Sequence, residues 1–175
     1  MSRARKMLSD WNEPYIQSLM KLIKTQSKAT LTIWAVDYSE RVILPLWSQY
    51  YPDDLRLQNA LNAAHEWLSG TIKLPQAKSA ILECHSAARE ADGNPVAQAA
   101  ARTIGQCAST IHSARHCIGL AFYGAIAVAY DRLGTDAPWI QIEQRAAEEC
   151  GHMEAALHAA AVENEPNPAK IDWKC

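Results

Sequence analysis

The side chains best suited to chemistry are two histidines in the second half of the chain, His112 and His116. They are four residues apart, so on one helix their imidazoles share a face and could bind zinc through two nitrogen atoms. A zinc site needs at least a third ligand, and Ser113 stands where the His-Glu-x-x-His motif of metalloproteases has its glutamate. The pattern therefore favours histidines that form hydrogen bonds within or beside the core, and we predict no metal site.

A second metal-like spacing lies near the end of the chain. Glu149 and His152 have the Glu-x-x-His spacing of di-iron bundles, in which two such motifs and two further glutamates converge. The chain contains one such motif, so a ferritin-like site fails on ligand count. Glu148, Glu149 and Glu154 are instead predicted to form a solvated acidic face.

Signatures of nucleophilic catalysis are weaker still. Cys84 and His85 are adjacent, so their side chains point about 100° apart around a helix and do not share a pocket. The sequence has no Gly-x-x-x-x-Gly-Lys loop, no Gly-x-Ser-x-Gly elbow and no Cys-x-x-Cys pair. We predict that the protein is not an enzyme, has no catalytic residues and needs no cofactor.

Two acids, Asp37 and Glu40, interrupt an apolar helical register. A carboxylate that faces inward needs a hydrogen-bonding partner, and Arg89 or one of the histidines could provide it. The predicted buried polar cluster consists of Asp37, Glu40, His85, Arg89, His112 and His116.

Composition limits the possible partners and the cellular compartment. Residues 1–28 carry six Lys or Arg and two acids, whereas residues 136–175 carry three and eight. No sustained basic face follows from this distribution, so we expect no nucleic-acid partner. Five cysteines, mostly inside apolar helical patterns, indicate a reducing compartment rather than a disulfide framework. Because no run of about 18 apolar residues is present, we predict a cytoplasmic protein without a membrane segment.

Caps and helix breakers define the elements that must position these residues. Asn12 and Asn94 each lie just before a proline of a first helical turn and are predicted N-caps. Gly70 fits the left-handed position after a helix. Pro45 is expected to kink or end the second helix, which should finish near Tyr50.

The helical patterns cover most of the 175 residues, and no segment alternates with period two for long enough to form a strand. Residues 97–133 lack proline but are too long for one helix of a compact domain, so we predict a break at residues 111–113. The predicted fold is all-α, a single-domain bundle of about six to seven mostly antiparallel helices.

Several short motifs occur in a distinctive order. Residues 31–42 contain a Trp-Ala pair, an acid and Glu-Arg-Val. Later matches are Ala63-Ala64, Trp67, Gly70-Thr71-Ile72, residues 85–89, residues 100–102 before Gly105, and residues 110–116. In this order, over residues 30–130, the chain resembles a family of immunity proteins from bacterial polymorphic toxin systems. Leu57, Thr71 and Gln106 depart from the family pattern, and Gln106 replaces a histidine.

The resemblance implies a protein made beside a toxin domain, which it binds and neutralises in the producing cell. Inhibition would be by occlusion, through an interface of roughly 1,200 to 2,000 Å² with a few buried anchors. A proline turn presents aromatic side chains beside acids, so the candidate exposed anchors are Trp47, Tyr50, Tyr51, Asp53 and Asp54. The same aromatic residues could instead simply close one end of the bundle.

We predict one domain over residues 1–175. It consists of a basic N-terminal helix at residues 12–27, a core at 30–133 that resembles the family, an acidic C-terminal helix at 136–162 and an irregular tail at 163–175. Two other functions stay open: an inhibitor of a bacterial defence complex encoded by a mobile element such as a phage, and a metal-dependent helical hydrolase centred on His85, His112 and His116. The sequence does not indicate an oligomeric state.

Overall fold

A computed structural model describes residues 4–174 of the chain. Its α-helices are α1 (Pro14–Ile23), α2 (Lys28–Tyr38), α3 (Leu44–Ser48), α4 (Arg56–Leu68), α5 (Leu74–Glu90), α6 (Pro95–Ser109), α7 (Ala125–Leu133) and α8 (Trp139–Ala160). A π turn at Ser39–Ile43 joins α2 to α3 without interruption, so the described residues form seven helical rods. Residues 4–174 contain no strand, and the predicted all-α domain is confirmed. Within them, no helix combines the length and the apolar character needed to cross a bilayer.

Helix α6 lies at the centre of the bundle. Twelve of its fifteen residues are buried, and it contacts α2, α3, α4, α5 and α7. Its alanine side chains are small, so neighbouring helices can approach it closely on several sides. Helix α7 is also largely buried, whereas α5 buries only one face.

Short turns fold consecutive helices back on one another, with extensive contacts between α4 and α5 and between α5 and α6. Gly70 has a φ of +76° after α4. The Thr71 N–H donates to the Glu66 carbonyl at 2.8 Å and the Gly70 N–H donates to the Trp67 carbonyl at 3.0 Å. These two bonds satisfy carbonyls at the helix end, so the predicted role of Gly70 is confirmed.

The two predicted asparagine caps have different outcomes. The Asn94 side-chain oxygen accepts a hydrogen bond from the Ala97 N–H at 3.1 Å, as an N-cap should. Asn12 is not a cap, because α1 begins one residue later with Glu13 in the capping position and no side-chain bond. The Asn12 N–H instead donates to the Asp10 side chain at 2.9 Å, in a turn that precedes the helix.

The π turn allows the helix to continue through Pro45. The Leu44 N–H donates to the carbonyl of Ser39, five residues earlier, instead of to the usual carbonyl four residues back. This wider turn accommodates the proline ring, which would clash with a regular α-helical turn. The helix therefore continues to Ser48, close to its predicted end.

The predicted break after α6 is confirmed. The Ser109 hydroxyl donates to the Gly105 carbonyl at 2.7 Å, which is the competition with backbone bonding expected there. A 3₁₀ helix (Ala114–Ile118) and a second π turn (Leu120–Gly124) then lead into α7. Gly119 lets this irregular segment approach α6, because a Cβ atom on it would lie 2.4 Å from the Gln106 Cβ.

Both ends of the described chain pack on the core. The Trp11 ring lies 4.5 Å from the Phe122 ring and 6.2 Å from the Trp173 ring, measured between centroids. Buried Gln26 accepts a hydrogen bond from the Val162 N–H at 2.8 Å, and its carbonyl accepts one from the Ala169 N–H at 2.8 Å. The residues after α8 are therefore irregular, as predicted, but attached to the domain.

Candidate functional site

The predicted anchors surround a turn between α3 and α4, where Trp47 is buried rather than exposed. Only 2% of its surface is accessible. Its indole N–H donates to the Asp54 carbonyl at 3.1 Å, and its ring centroid lies 4.4 Å from that of Tyr51. Trp47 belongs to α3, which packs against α6, so its ring lies on the core side of the turn. Its predicted exposure was wrong, and the indole supports the turn from beneath.

Asp54 is also engaged within the protein. Its carboxylate accepts hydrogen bonds from the Arg56 guanidinium, the shortest at 2.7 Å, and from the Arg56 backbone N–H at 3.1 Å. The Arg56 side chain also donates to Glu90 on α5 at 2.6 Å. Hydrogen bonding to Arg56 lowers the pKa of both carboxyls, so both are ionised at neutral pH. Arg56 thus ties the turn to α5.

The other predicted anchors reach solvent. Tyr50 is 46% exposed, and Tyr51 and Asp53 are exposed. Leu55, which was not among the predicted anchors, is 60% exposed. Residues 50–55, here called the 50–55 turn, line a shallow groove of about 550 Å³. The turn therefore presents two aromatic rings, an aliphatic side chain and an acid on a rigid base.

The predicted buried polar cluster is not formed as one group. Asp37 is exposed and Glu40 half-buried, and both approach His65 on α4. The His65 Nε2 atom lies 3.1 Å from Glu40 Oε1 and 3.7 Å from Asp37 Oδ1. The expected contacts of these acids with Arg89 or the other histidines were wrong, because α2 packs beside α4 whereas Arg89 is on α5.

Arg89 takes no part in such a cluster either. It is exposed, and its guanidinium donates to the Ser86 hydroxyl of the same helix at 2.7 Å. The sequence did not single out His65. The i, i+3 spacing of Asp37 and Glu40 shows that the two acids share a helix face, but spacing alone cannot reveal which residue of another helix meets that face.

The three histidines of the predicted cluster, His85, His112 and His116, lie beside α6. Half-buried His85 packs so closely on Gly105 that a Cβ atom there would lie 2.6 Å from the His85 Cε1 atom. The His116 Nδ1 atom is 2.9 Å from Gln106 Oε1, and the His112 and His116 ring centroids are 5.2 Å apart. Gln106 thus serves as the hydrogen-bond partner of His116.

Burial is the main reason that these three imidazoles have lowered pKa values. Nearby positive charge lowers them further: Arg89 acts on His85, Lys78 acts on His112, and His112 acts on His116. The imidazoles are therefore mostly neutral at pH 7. Among residues 4–174, their ring nitrogens do not converge within 4.8 Å as a set of three ligands, although Asp37, Glu40 and His65 do.

A second groove, of about 430 Å³, lies beside His116. Its walls include Trp11, Gln106, His116, Phe122, Tyr123 and Trp173. No sequence pattern indicates this groove, because Trp11 and Trp173 are more than 160 residues apart and meet only when both chain ends pack on the core.

Glu149 is the clearest error in the predicted acidic face. It is only 3% exposed, and it accepts hydrogen bonds from the Tyr38 hydroxyl at 2.5 Å and from Arg145 at 3.0 Å. Burial raises the pKa of Glu149, but the bonds from Tyr38 and Arg145 outweigh it, so the net shift is downward. Glu148 is exposed as predicted, and Glu154 is half-buried and accepts a bond from Ser18 at 2.6 Å.

Four cysteines are buried, as predicted. Burial raises the pKa of the Cys84, Cys107 and Cys150 thiols to about 12, and that of Cys117 well above its usual value. The Cys84 thiol donates to the Ala101 carbonyl at 3.4 Å. These thiols are protonated at neutral pH and do not have the thiolate character of a nucleophile.

Comparison with known proteins gives one family. Neither the curated proteins nor the solved structures provide a significant match to this chain. A protein-family model matches residues 21–156, which include the whole of the predicted family-like region. Its matched span runs from α1 to α8 and contains both the 50–55 turn and the Asp37, Glu40 and His65 group. The chain therefore belongs to the family of Imm-5 like putative immunity proteins.

Proposed function

We propose that this protein binds a cognate toxin domain and neutralises it by occlusion, in the cytoplasm of the cell that makes both. Its family is one of immunity proteins, which implies a protein partner. The buried, protonated thiols and the hydrogen-bonded histidines are consistent with a binding role rather than bond-making chemistry. No catalytic residue or cofactor enters the proposal.

The 50–55 turn is the surface that best supports this proposal. Tyr50 and Tyr51 belong to the residue types that dominate protein interfaces, because an aromatic ring buries a large area at a small entropic cost. The turn is held in place from three sides: Trp47 lies beneath it, Arg56 clamps Asp54, and the Asp54 N–H donates to the Tyr51 carbonyl at 3.2 Å. A partner therefore binds a preformed surface and avoids the cost of ordering a loop.

The surroundings of the turn indicate the chemistry of the partner. Gln49 donates to Asp131 at 2.9 Å, which places the end of α7 beside the end of α3. Leu133, in the same final turn of α7, is exposed. The apolar surface of Tyr50, Tyr51 and Leu55 can thus continue toward Leu133, with Asp53 at its edge. We expect a toxin surface with an apolar depression for the rings and a Lys or Arg that approaches Asp53.

Co-expression with a toxin gene that lies beside this gene in its natural host tests the proposal. Cells that express the toxin alone should fail to form colonies, and cells that also express this protein should grow like cells with a catalytically inactive toxin. The two proteins should also co-purify as a complex. Failure to protect against any neighbouring toxin would overturn the proposal, and protection only against a host defence complex would assign the protein to counter-defence instead.

A further inference from the structure

Asp37, Glu40 and His65 form a small polar site away from the 50–55 turn. Asp37 ends the accessible face of α2, Glu40 follows in the π turn three residues later, and His65 comes from α4. One ligand atom from each side chain lies within 4.8 Å of the other two. The group therefore joins two helices through one imidazole nitrogen and two carboxylate oxygens.

The spacing of these atoms fits a zinc-sized ion. Zinc bonds of about 2.0 to 2.1 Å in tetrahedral geometry place neighbouring ligand atoms about 3.3 Å apart. The two measured separations from His65 Nε2 are 3.1 Å to Glu40 and 3.7 Å to Asp37, one on each side of that value. Small side-chain rotations would equalise them, because all three side chains are partly exposed.

Charge at this site also favours a cation. Within residues 4–174, neither carboxylate lies within 4.0 Å of a lysine or arginine nitrogen. The cations of the same helical segment are directed elsewhere: the Arg41 guanidinium lies 5.4 Å from the Tyr38 ring centre, and the Lys28 ammonium 5.4 Å from that of Trp67. The two acids thus have His65 as their partner and no lysine or arginine within ion-pair distance, so a bound cation would not be repelled by a neighbouring basic side chain.

We infer that Asp37, Glu40 and His65 bind a divalent transition metal ion, with zinc as the best-fitting ion. The mixed nitrogen and oxygen ligands favour zinc over magnesium or calcium, which prefer all-oxygen sites. Three protein ligands leave a fourth position open to water or to a side chain of a partner. The bound ion links α2 to α4, so it stabilises the domain. This inference does not depend on the proposed toxin partner.

Calorimetric titration of tag-free, EDTA-treated and dialysed protein with Zn²⁺ tests the site. The native chain should bind one ion with a dissociation constant of about 10 µM or tighter. His65→Gln and Glu40→Gln should each weaken binding at least about tenfold. Zn²⁺ should also raise the melting temperature of the native chain more than that of either variant. Visible Co²⁺ spectra should show a signal from nitrogen and oxygen ligands that is lost in His65→Gln.

The matched control replaces His112 and His116 together with glutamine. Because these two residues lie outside the proposed site, this variant should bind Zn²⁺ like the native chain. Binding weaker than about 10 µM, binding unaffected by His65→Gln, or binding lost in the His112 and His116 variant would each overturn the inference. Circular dichroism of every variant separates loss of the site from loss of the fold, and no measurement involves the toxin.

Discussion

A variant that carries Tyr50→Ala and Tyr51→Ala is expected to bind the cognate toxin about 100- to 1,000-fold more weakly than the native chain. Aromatic anchors near the centre of an interface typically contribute about 2 kcal/mol or more each, and about 1.4 kcal/mol corresponds to tenfold in affinity. Both rings lie on a turn that Trp47 and Arg56 hold in place. Their loss therefore removes contact area, and no saving in the entropy of ordering the turn offsets it. Surface-immobilised binding kinetics or calorimetry measures the change directly.

Two further variants make this result specific. Leu82→Ala removes an exposed apolar side chain from α5, outside the turn, and should leave toxin affinity unchanged. Asp53→Lys should mainly slow association, because an exposed charge at the edge of an interface steers encounter more than it holds the complex. The double tyrosine variant must retain native helical content, since the Tyr51 ring also contacts Trp47. A folded double variant with native affinity would exclude the 50–55 turn as the binding surface.

Replacing Glu149 with alanine is expected to lower the free energy of unfolding by about 3 kcal/mol, the largest stability effect that we foresee for one residue. The change leaves the buried Tyr38 hydroxyl and the Arg145 guanidinium without their main acceptor. We place the effect at the lower end of the range for broken buried pairs, because Arg145 keeps some access to water. Chemical denaturation monitored by circular dichroism measures it.

The same residue makes stability dependent on pH. Because the pKa of Glu149 is lower in the folded protein than in the unfolded chain, its ionisation stabilises the fold above the unfolded value of about 4.3. That contribution is lost as the pH falls through the pKa of Glu149 in the folded protein. The difference in the free energy of unfolding between the native chain and Glu149→Gln should therefore shrink below about pH 4.3.

Glu148→Ala is the matched control for the stability measurement. Glu148 is the preceding residue of the same helix, is exposed, and lies 3.9 Å from the Arg145 guanidinium. Its removal should change the free energy of unfolding by no more than about 0.5 kcal/mol. Equal effects of the Glu148 and Glu149 changes would show that the buried network is not important for stability.

Local signals in the sequence explain why the fold could be predicted. Asn94 before Pro95, Gly70 after α4 and the hydroxyls near residue 110 each act on backbone groups within a few residues, and all three behave as expected. Asn12 failed because its backbone N–H donates to the Asp10 side chain and α1 begins one residue later, with Glu13 in the capping position. The fold class depends on many such local preferences that agree with one another, so one wrong cap does not change it.

The polar contacts could not be predicted in the same way, because each joins residues that are distant in sequence. Glu149 and Tyr38 are 111 positions apart, and Glu40 and His65 are 25 apart. Helical spacing shows which residues share a face, but the neighbour of that face depends on how the helices pack. For the same reason the sequence suggested exposure for Trp47, whose burial depends on the packing of α3 against α6.

Titration of toxin activity with this protein tests most directly whether it acts by occlusion. With the toxin held well above the dissociation constant, residual activity should fall linearly and reach its minimum at one equivalent of the protein. It should return when the complex is separated. Complete inactivation by much less than one equivalent, or toxin that stays inactive and covalently altered after separation, would show catalysis and contradict the proposed mechanism.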